Sequence, residues 1–147
     1  FARARALTDR HPPAIEQLAL AEFIAEGHLG RHIRRTRADY AARRELLLSL
    51  APRLLPDGVE VEAADAGMHG VAWLPPGVDA AAASVAAARN GVDVTPMSAY
   101  RLRPAERDGL MLGYAAADPA EIAGGLRALG DALRPLLGRR RARAATT

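Results

Sequence analysis

The sequence predicts a two-layer α+β domain, with a small, mainly antiparallel sheet covered on one face by helices. Three observations predict it. Apolar residues recur with a helical period up to about residue 55, alternate over 59–74, and return to the helical period over 118–137. The elements read ααββαββα, with the strands close together in pairs, which suits a two-layer arrangement. The chain has 147 residues, 50% of them hydrophobic, which is enough for one core and short for two.

The first helix spans about 14–27. It contains no proline, and Gly27 stops it. Ile15, Leu18, Leu20, Phe23 and Ile24 spread over more than one of its faces, so it is expected to be buried on two sides. A longer helix covers about Arg31 to Leu55. Ile33, Tyr40, Leu47 and Leu54 recur every seven residues, and Leu50 fills the same stripe. Arg34, Arg35, Arg37, Arg43 and Arg44 occupy the other faces with Asp39 and Glu45 among them, and Pro56 and Gly58 end the helix.

Val59, Val61 and Ala63 then alternate with Glu60 and Glu62, the pattern of a half-buried strand. A turn at 64–67 leads into a second strand, His69 to Leu74, whose faces are His69/Val71/Trp73 and Gly70/Ala72/Leu74. Asp79 caps a short Ala-rich helix to about Arg89, with Asn90–Gly91 as its stop. Val92–Val94 and Leu110–Ala115 read as two further strands. Asp118, Pro119 and Glu121 begin the last helix, with an acid at the N-cap, proline at the first position and a capping-box partner at the third. Its apolar stripe is Ile122, Leu126, Leu129, Leu133 and Leu137. Residues 139–147 are basic, lack core residues, and read as a flexible tail.

Composition excludes several chemistries. The net charge is +3, all twenty basic residues are Arg, and there is no Lys and no Cys. Without Cys there is no disulfide, thiolate metal site or cysteine nucleophile. Without Lys no side-chain amine can form an imine, and Arg clamps anions but is not a neutral nucleophile. No segment resembles a signal peptide or a membrane span. The chain begins at Phe1 without an initiator Met, and it reads as a piece of a longer cytoplasmic protein.

The candidate sites are few. His28 and His32 share a face only if one helix runs through Gly30, and the usual third metal ligand is lacking, so no metal site is expected. Gly124–Gly125 follows no strand and fails as a phosphate loop. Ser49, Ser84 and Ser98 show no nucleophile elbow, so no catalytic residue is assigned. The Arg residues of the long helix fall on several faces and alternate with acids. They read as a solvated flank with ion pairs four residues apart, or as a domain interface, rather than a DNA-reading surface. His69 opens a strand after a glycine turn, a place for a pocket residue or for an ordinary half-buried histidine. The loop from Pro96 to Arg107 carries Ser98, Tyr100, Arg101, Arg103 and Arg107, which reads as an anion or carboxylate site or as a plain solvated loop.

Taken together, these segments resemble a known family. Residues 16–44, from Glu16 through the run ending Arg43–Arg44, resemble the end of the large domain in fold type I pyridoxal-phosphate aminotransferases. Ala66–Pro75 is similar to their small-domain hairpin, and Gly91–Tyr100 to their Gly-Val-x-Val-x-Pro-Gly-Ser-x-Phe strand and loop. Gly109–Ala115 and the helix from Asp118 complete the likeness. The His of Gly67–Met68–His69 and the ending Leu112–Gly113–Tyr114–Ala115 are more similar to the aminotransferase-like C-terminal region of MocR-type regulators of the GntR superfamily.

The resemblance implies a domain plan. Residues 1–30 are a remnant of the large domain, 31–138 are the small domain, and 139–147 are the tail. It implies pyridoxal phosphate in the full-length parent, with none bound covalently to this chain. It also implies a homodimer, a small-molecule effector, and DNA binding only through a separate N-terminal winged-helix domain. His69, Ser98, Tyr100, Arg101 and Arg103 are the expected residues of the effector or cofactor pocket. Met111 stands where the aminotransferases that the chain resembles carry the Arg that grips a substrate carboxylate, which tells against ordinary transamination by the parent: either another Arg, Arg101 or Arg103, replaces it, or the effector is not an α-amino acid. Two rival functions remain: the small domain of a true aminotransferase, or an independent α+β binding or dimerisation module. In isolation, the apolar residues of the first helix are expected to drive a non-native or swapped dimer.

Overall fold

The computed structural model describes residues 13–65, 67–103 and 107–144, the side chains of 139–144 excepted. The chain divides into two compact units, Phe1–Ala38 and Asp39–Thr147, with the division falling inside a long helix.

In the first unit, helix α1 (Ala14–Ala25) meets helix α2 (His28–Leu54) at Gly27, whose φ of 75° makes the turn. The Phe23 and His28 rings stack there with centroids 5.3 Å apart. His28 also hydrogen-bonds Glu26 Oε2 through Nε2 at 2.9 Å and the Arg31 guanidinium through Nδ1 at 2.7 Å. The second helix thus begins three residues earlier than expected and runs through Gly30, which places His28 and His32 on one face. The described residues contain no group of three or more potential metal ligands.

The expected two-sided burial of α1 is not found, since none of its residues is buried. Ile15 and Leu18 are 81% and 71% exposed. Apolar residues spread around a helix need cover from more than one side, and the described part of this unit supplies only the start of α2. Ile33 is likewise exposed.

The second unit holds a four-stranded sheet, β1 (Glu60–Ala63), β2 (His69–Trp73), β3 (Thr95–Pro96) and β4 (Gly109–Gly113), in the order β1-β2-β4-β3. Every pairing is antiparallel, as the strand pattern predicts. Helix α3 (Ala80–Arg89) and helix α4 (Pro119–Ala144) pack with the end of α2 around one core. Leu47 and Ala51 enter it from α2, Leu55 from just past its end, Ala72, Leu110 and Leu112 from the sheet, and Ile122, Leu126, Leu129, Leu133 and Leu137 from α4. The seven-residue stripe of α2 is therefore buried only in its C-terminal half.

Local chemistry explains the helix starts. Asp79 accepts from the amides of Ala81 and Ala82. Asp118 and Glu121 form a reciprocal capping box: the Glu121 amide donates to the Asp118 carboxylate at 2.8 Å, and the Asp118 amide to Glu121 at 2.7 Å.

Two strand assignments need correction. Val92–Val94 is not a strand, because its backbone is engaged elsewhere. Val92 N–H donates to Ala87 O to close α3, and the carbonyl of buried Val94 accepts from the Ser84 hydroxyl at 2.6 Å. Sheet pairing starts at Thr95, opposite Met111, and Met97–Tyr100 then forms a 3-10 turn. The last strand ends at Gly113, not Ala115, and Tyr114 just beyond it still holds the β2–β4 register. Its amide donates to Met68 O and its buried phenol to Gly67 O, each at 3.1 Å. The backbone of α4 stays helical to Ala144, through most of the stretch read as a tail, whose last residues 145–147 lie outside the described residues.

Two arginines of the presumed solvated flank are structural. Arg44 is half-buried and donates to Ala63 O through Nε and Nη2 at 3.1 and 3.0 Å, and its Nη2 also pairs with Asp65 at 2.8 Å. Arg43 donates to the carbonyl of Ala115. Both therefore clamp the long helix to chain segments at the ends of strands.

Candidate functional site

Strand alternation divides the sheet into a core face and an outer face. Gly70, Ala72, Leu110 and Leu112 are buried on the core side. Glu60, Glu62, His69, Val71, Trp73, Thr95 and Met111 occupy the outer side, with Gly109 and Gly113 between them. The register aligns Glu62, Val71, Met111 and Thr95 in one row across all four strands, so half-exposed Met111 sits at its middle.

One end of this face is organised around Trp73. Its indole Nε1–H donates to Glu62 Oε2 at 2.9 Å. The guanidinium carbons of Arg101 and Arg107 lie 5.8 and 5.6 Å from the ring centroid, within the range of cation–π attraction. Arg107 pairs with Glu60 at 2.8 Å, and Arg101 Nη1 donates to the Arg107 carbonyl at 2.6 Å. The indole has room because Trp73 stands opposite Gly109, where a Cβ would come within 3.1 Å of its ring. Asp108 secures the base of the loop, accepting from the amides of Ser98 and Gly109 at 3.1 and 2.8 Å.

The sequence-predicted residues do not form one cluster. Arg101 belongs to the Trp73 group. His69 is exposed on the same face but four residues away along β2, about 13 Å by strand rise. Ser98, Tyr100 and Arg103 are exposed in and after the 3-10 turn, and Tyr100 has 61% of its surface open. The described recesses lie elsewhere. One of about 490 Å³ is bounded by Leu55–Gly58, Pro75 and Arg134, and one of about 100 Å³ lies beneath Tyr114 and Ile122. Neither is lined by His69, Ser98, Tyr100, Arg101, Arg103 or Met111.

Sequence reasoning left Trp73, Glu60 and Glu62 outside the candidate set, and it named Arg107 in the anion-site loop without placing it among the pocket residues. The available signal was a tryptophan at an outward-facing position of a strand, beside a strand whose outward positions are both acidic.

This arrangement of helices on a small antiparallel sheet is shared with part of solved aminotransferases. The chain is 34% identical to the probable rhizopine catabolism regulatory protein MocR of Rhizobium meliloti, over 90% of the chain and 27% of that protein. It is 31% identical to an uncharacterized HTH-type transcriptional regulator, YhdI, of Bacillus subtilis, over 84% of the chain and 26% of that protein. Among solved structures it is similar to LysN, an alpha-aminoadipate aminotransferase of Thermus thermophilus crystallised with N-(5'-phosphopyridoxyl)-L-leucine. The TM-score is 0.82 and the identity 29%, over 92% of this chain and 35% of that one. No family model matches the chain.

The chain is similar, over most of its length, to a part of MocR-type regulators and of aminotransferases. It spans about a quarter to a third of the length of these relatives. No helix among the described residues is long and apolar enough to cross a membrane.

Proposed function

We propose that this chain is the C-terminal part of the effector-sensing domain of a MocR-type transcription regulator, and that its outer sheet face forms one wall of the effector pocket. The observation that carries this is the likeness to MocR over nine-tenths of the chain. Met111 in the middle of the outer face adds support, because a thioether cannot form the charge-assisted fork that holds a substrate carboxylate.

Pyridoxal phosphate belongs to the same proposal, as the cofactor of the parent. The residues present do not form its site by themselves. The chain has no Lys for an imine and no glycine-rich phosphate loop, and the outer face is open. On this reading the rest of the parent holds the cofactor and this chain contributes His69, Ser98, Tyr100, Arg101 and Arg103 to the wall. Residues 1–30 belong with the large domain, and 31–138 form the small one. A separate N-terminal winged-helix domain binds DNA, the parent is a cytoplasmic homodimer, and its effector is a small molecule, with pyridoxal phosphate itself one candidate.

A second reading, the small domain of a true aminotransferase, is favoured by the likeness to LysN. Assays of the whole parent protein with amino-acid and keto-acid pairs separate the two. A regulator shows effector-dependent binding to operator DNA and little turnover. Turnover at ordinary aminotransferase rates without DNA binding establishes the enzyme instead.

A further inference from the structure

Charge is spread unevenly along the chain. Residues 1–131 hold fifteen Arg and seventeen acidic residues, a net charge of −2, whereas residues 132–147 hold five Arg and no acidic residue. Asp131, the last acid, pairs with Arg134. Arg139, Arg140, Arg141 and Arg143 follow in a stretch whose own sequence offers no carboxylate. The arginines of α2 differ, because Asp39 and Glu45 stand among them. The backbone of α4 stays helical to Ala144, so the four arginines follow one another on helical backbone. The buried stripe of α4 ends at Leu137. Three and four residues further on, where the stripe would continue, stand Arg140 and Arg141. Core residues therefore serve α4 as far as Leu137, and charge takes over beyond it.

We propose that the basic end of α4, Arg139–Arg143, is a docking surface for the phosphate backbone of duplex DNA. A helix rises about 1.5 Å per residue, so four positive charges fall within about 6 Å of its axis. Duplex DNA carries one negative charge per about 1.7 Å of axis, a similar density of opposite sign. Guanidinium groups also match phosphate oxygens in two-point hydrogen bonding. Residues 138–147 contain no aromatic and no large apolar side chain. Single strands are held largely by stacking on aromatics, and a helix lying on a membrane needs an apolar face, so the composition favours a duplex. Phosphate contacts carry no sequence information, so this surface positions DNA that another part of the protein reads. Such a contact goes beyond the proposed function, and it rests on that reading only for DNA being the biological ligand.

The test follows the fluorescence anisotropy of a labelled duplex of about 20 base pairs and arbitrary sequence, titrated with the 147-residue chain at about 50 to 200 mM salt. Affinity is expected to fall with a log–log salt slope of about −3 or steeper, at about 0.9 per phosphate neutralised. The fourfold variant Arg139→Gln, Arg140→Gln, Arg141→Gln, Arg143→Gln is expected to bind about tenfold or more weakly and to lose about three units of that slope. A matched variant, Arg53→Gln, Arg89→Gln, Arg103→Gln, Arg127→Gln, removes the same charge from exposed positions elsewhere and is expected to weaken binding less than about threefold. Circular dichroism and the melting temperature show whether each variant folds. If the fourfold variant does not fold, Arg140→Gln, Arg143→Gln serves in its place, with about half the loss of slope. A single strand, polyglutamate and phosphatidylserine vesicles are each expected to bind at least about tenfold more weakly than the duplex. The proposal is overturned if the duplex does not bind at the lowest salt, if the slope survives loss of the four arginines, if the matched variant loses as much, or if any of the three other anions binds as tightly. Effector-dependent operator binding by the whole parent tests the regulatory reading separately, and it can hold or fail whichever way this slope falls.

Discussion

Gly130 of α4 faces the carbonyl of Leu54 at the end of α2, and a methyl group built on Gly130 would overlap that oxygen. The glycine is buried, and it lets the two long helices approach at the point where one of them ends. The obstacle is backbone, which cannot rotate away as a side chain can. Gly130→Ala is therefore expected to destabilise the chain by about 1–3 kcal/mol, the usual cost of overpacking. Gly124, six residues earlier in the same helix, is exposed, and a Cβ there meets nothing within 4 Å. Gly124→Ala is expected to stabilise by about 0.5–1 kcal/mol, the helix-propensity difference. Chemical denaturation of both variants checks the pair, and effects of the same sign would contradict the packing described.

Arg44 offers a second comparison. It is half-buried, and most of its hydrogen bonding goes to the carbonyl of Ala63 at the end of β1. Its salt-bridge partner Asp65 is 98% exposed at the side chain. Arg44→Met is expected to cost about 1–3 kcal/mol, because it leaves a strand-end carbonyl without its donors. Asp65→Ala is expected to cost at most about 0.5 kcal/mol, as for an exposed ion pair. If the two variants melt alike, the ion pair rather than the carbonyl contact holds this corner.

The features legible in the sequence were those governed by local chemistry. The Asp79 cap, the Asp118–Glu121 box and the alternation of Val61 and Ala63 with Glu60 and Glu62 each depend on residues a few positions apart. Val92–Val94 has the composition of a strand, but which carbonyl Val94 offers to Ser84, and which amide Val92 offers to Ala87, depends on how α3 folds back. The outer face of the sheet was legible in part. Alternation puts His69 and Trp73 on one face, while the contacts of Arg101 and Arg107 with Trp73 bring together residues about thirty positions apart. Sequence spacing carries no sign of such contacts. Exposed α1 marks a different limit, because a pattern reports that apolar residues need cover and not whether the chain supplies it.

That exposed helix makes an independent prediction. Ile15, Leu18, Leu20 and Ile24 each have more than half of their surface open, on a helix with no buried residue. Apolar surface of this kind tends to find a partner. Light scattering of the isolated chain is expected to show association that grows with concentration. The double variant Ile15→Glu, Leu18→Glu, on one face of α1, is expected to shift it toward monomer. A monomer across the whole concentration range in the unaltered chain would count against this.

Met111 gives the sharpest test of the functional reading. It lies on the outer face between Val71 and Thr95, half-exposed, with no part in the core that Leu110 and Leu112 build from the same strand. An arginine fits such a position by laying its methylene stem along the sheet and carrying its charge to the surface. Met111→Arg is therefore expected to change stability by no more than about 1 kcal/mol. On the proposed reading, in the whole parent protein it would supply a guanidinium at the position that matches the carboxylate-binding Arg expected from the resemblance to aminotransferases. The variant is expected to bind amino acids about tenfold or more tightly than the unaltered parent, an effect readable by calorimetry without any turnover. Repulsion from Arg101, one diagonal position away beside Trp73, works against this gain, and Arg101→Gln in the same background relieves it. If Met111→Arg folds normally and leaves amino-acid affinity unchanged in both backgrounds, the outer face does not line the effector pocket, and the regulatory reading must place that pocket elsewhere.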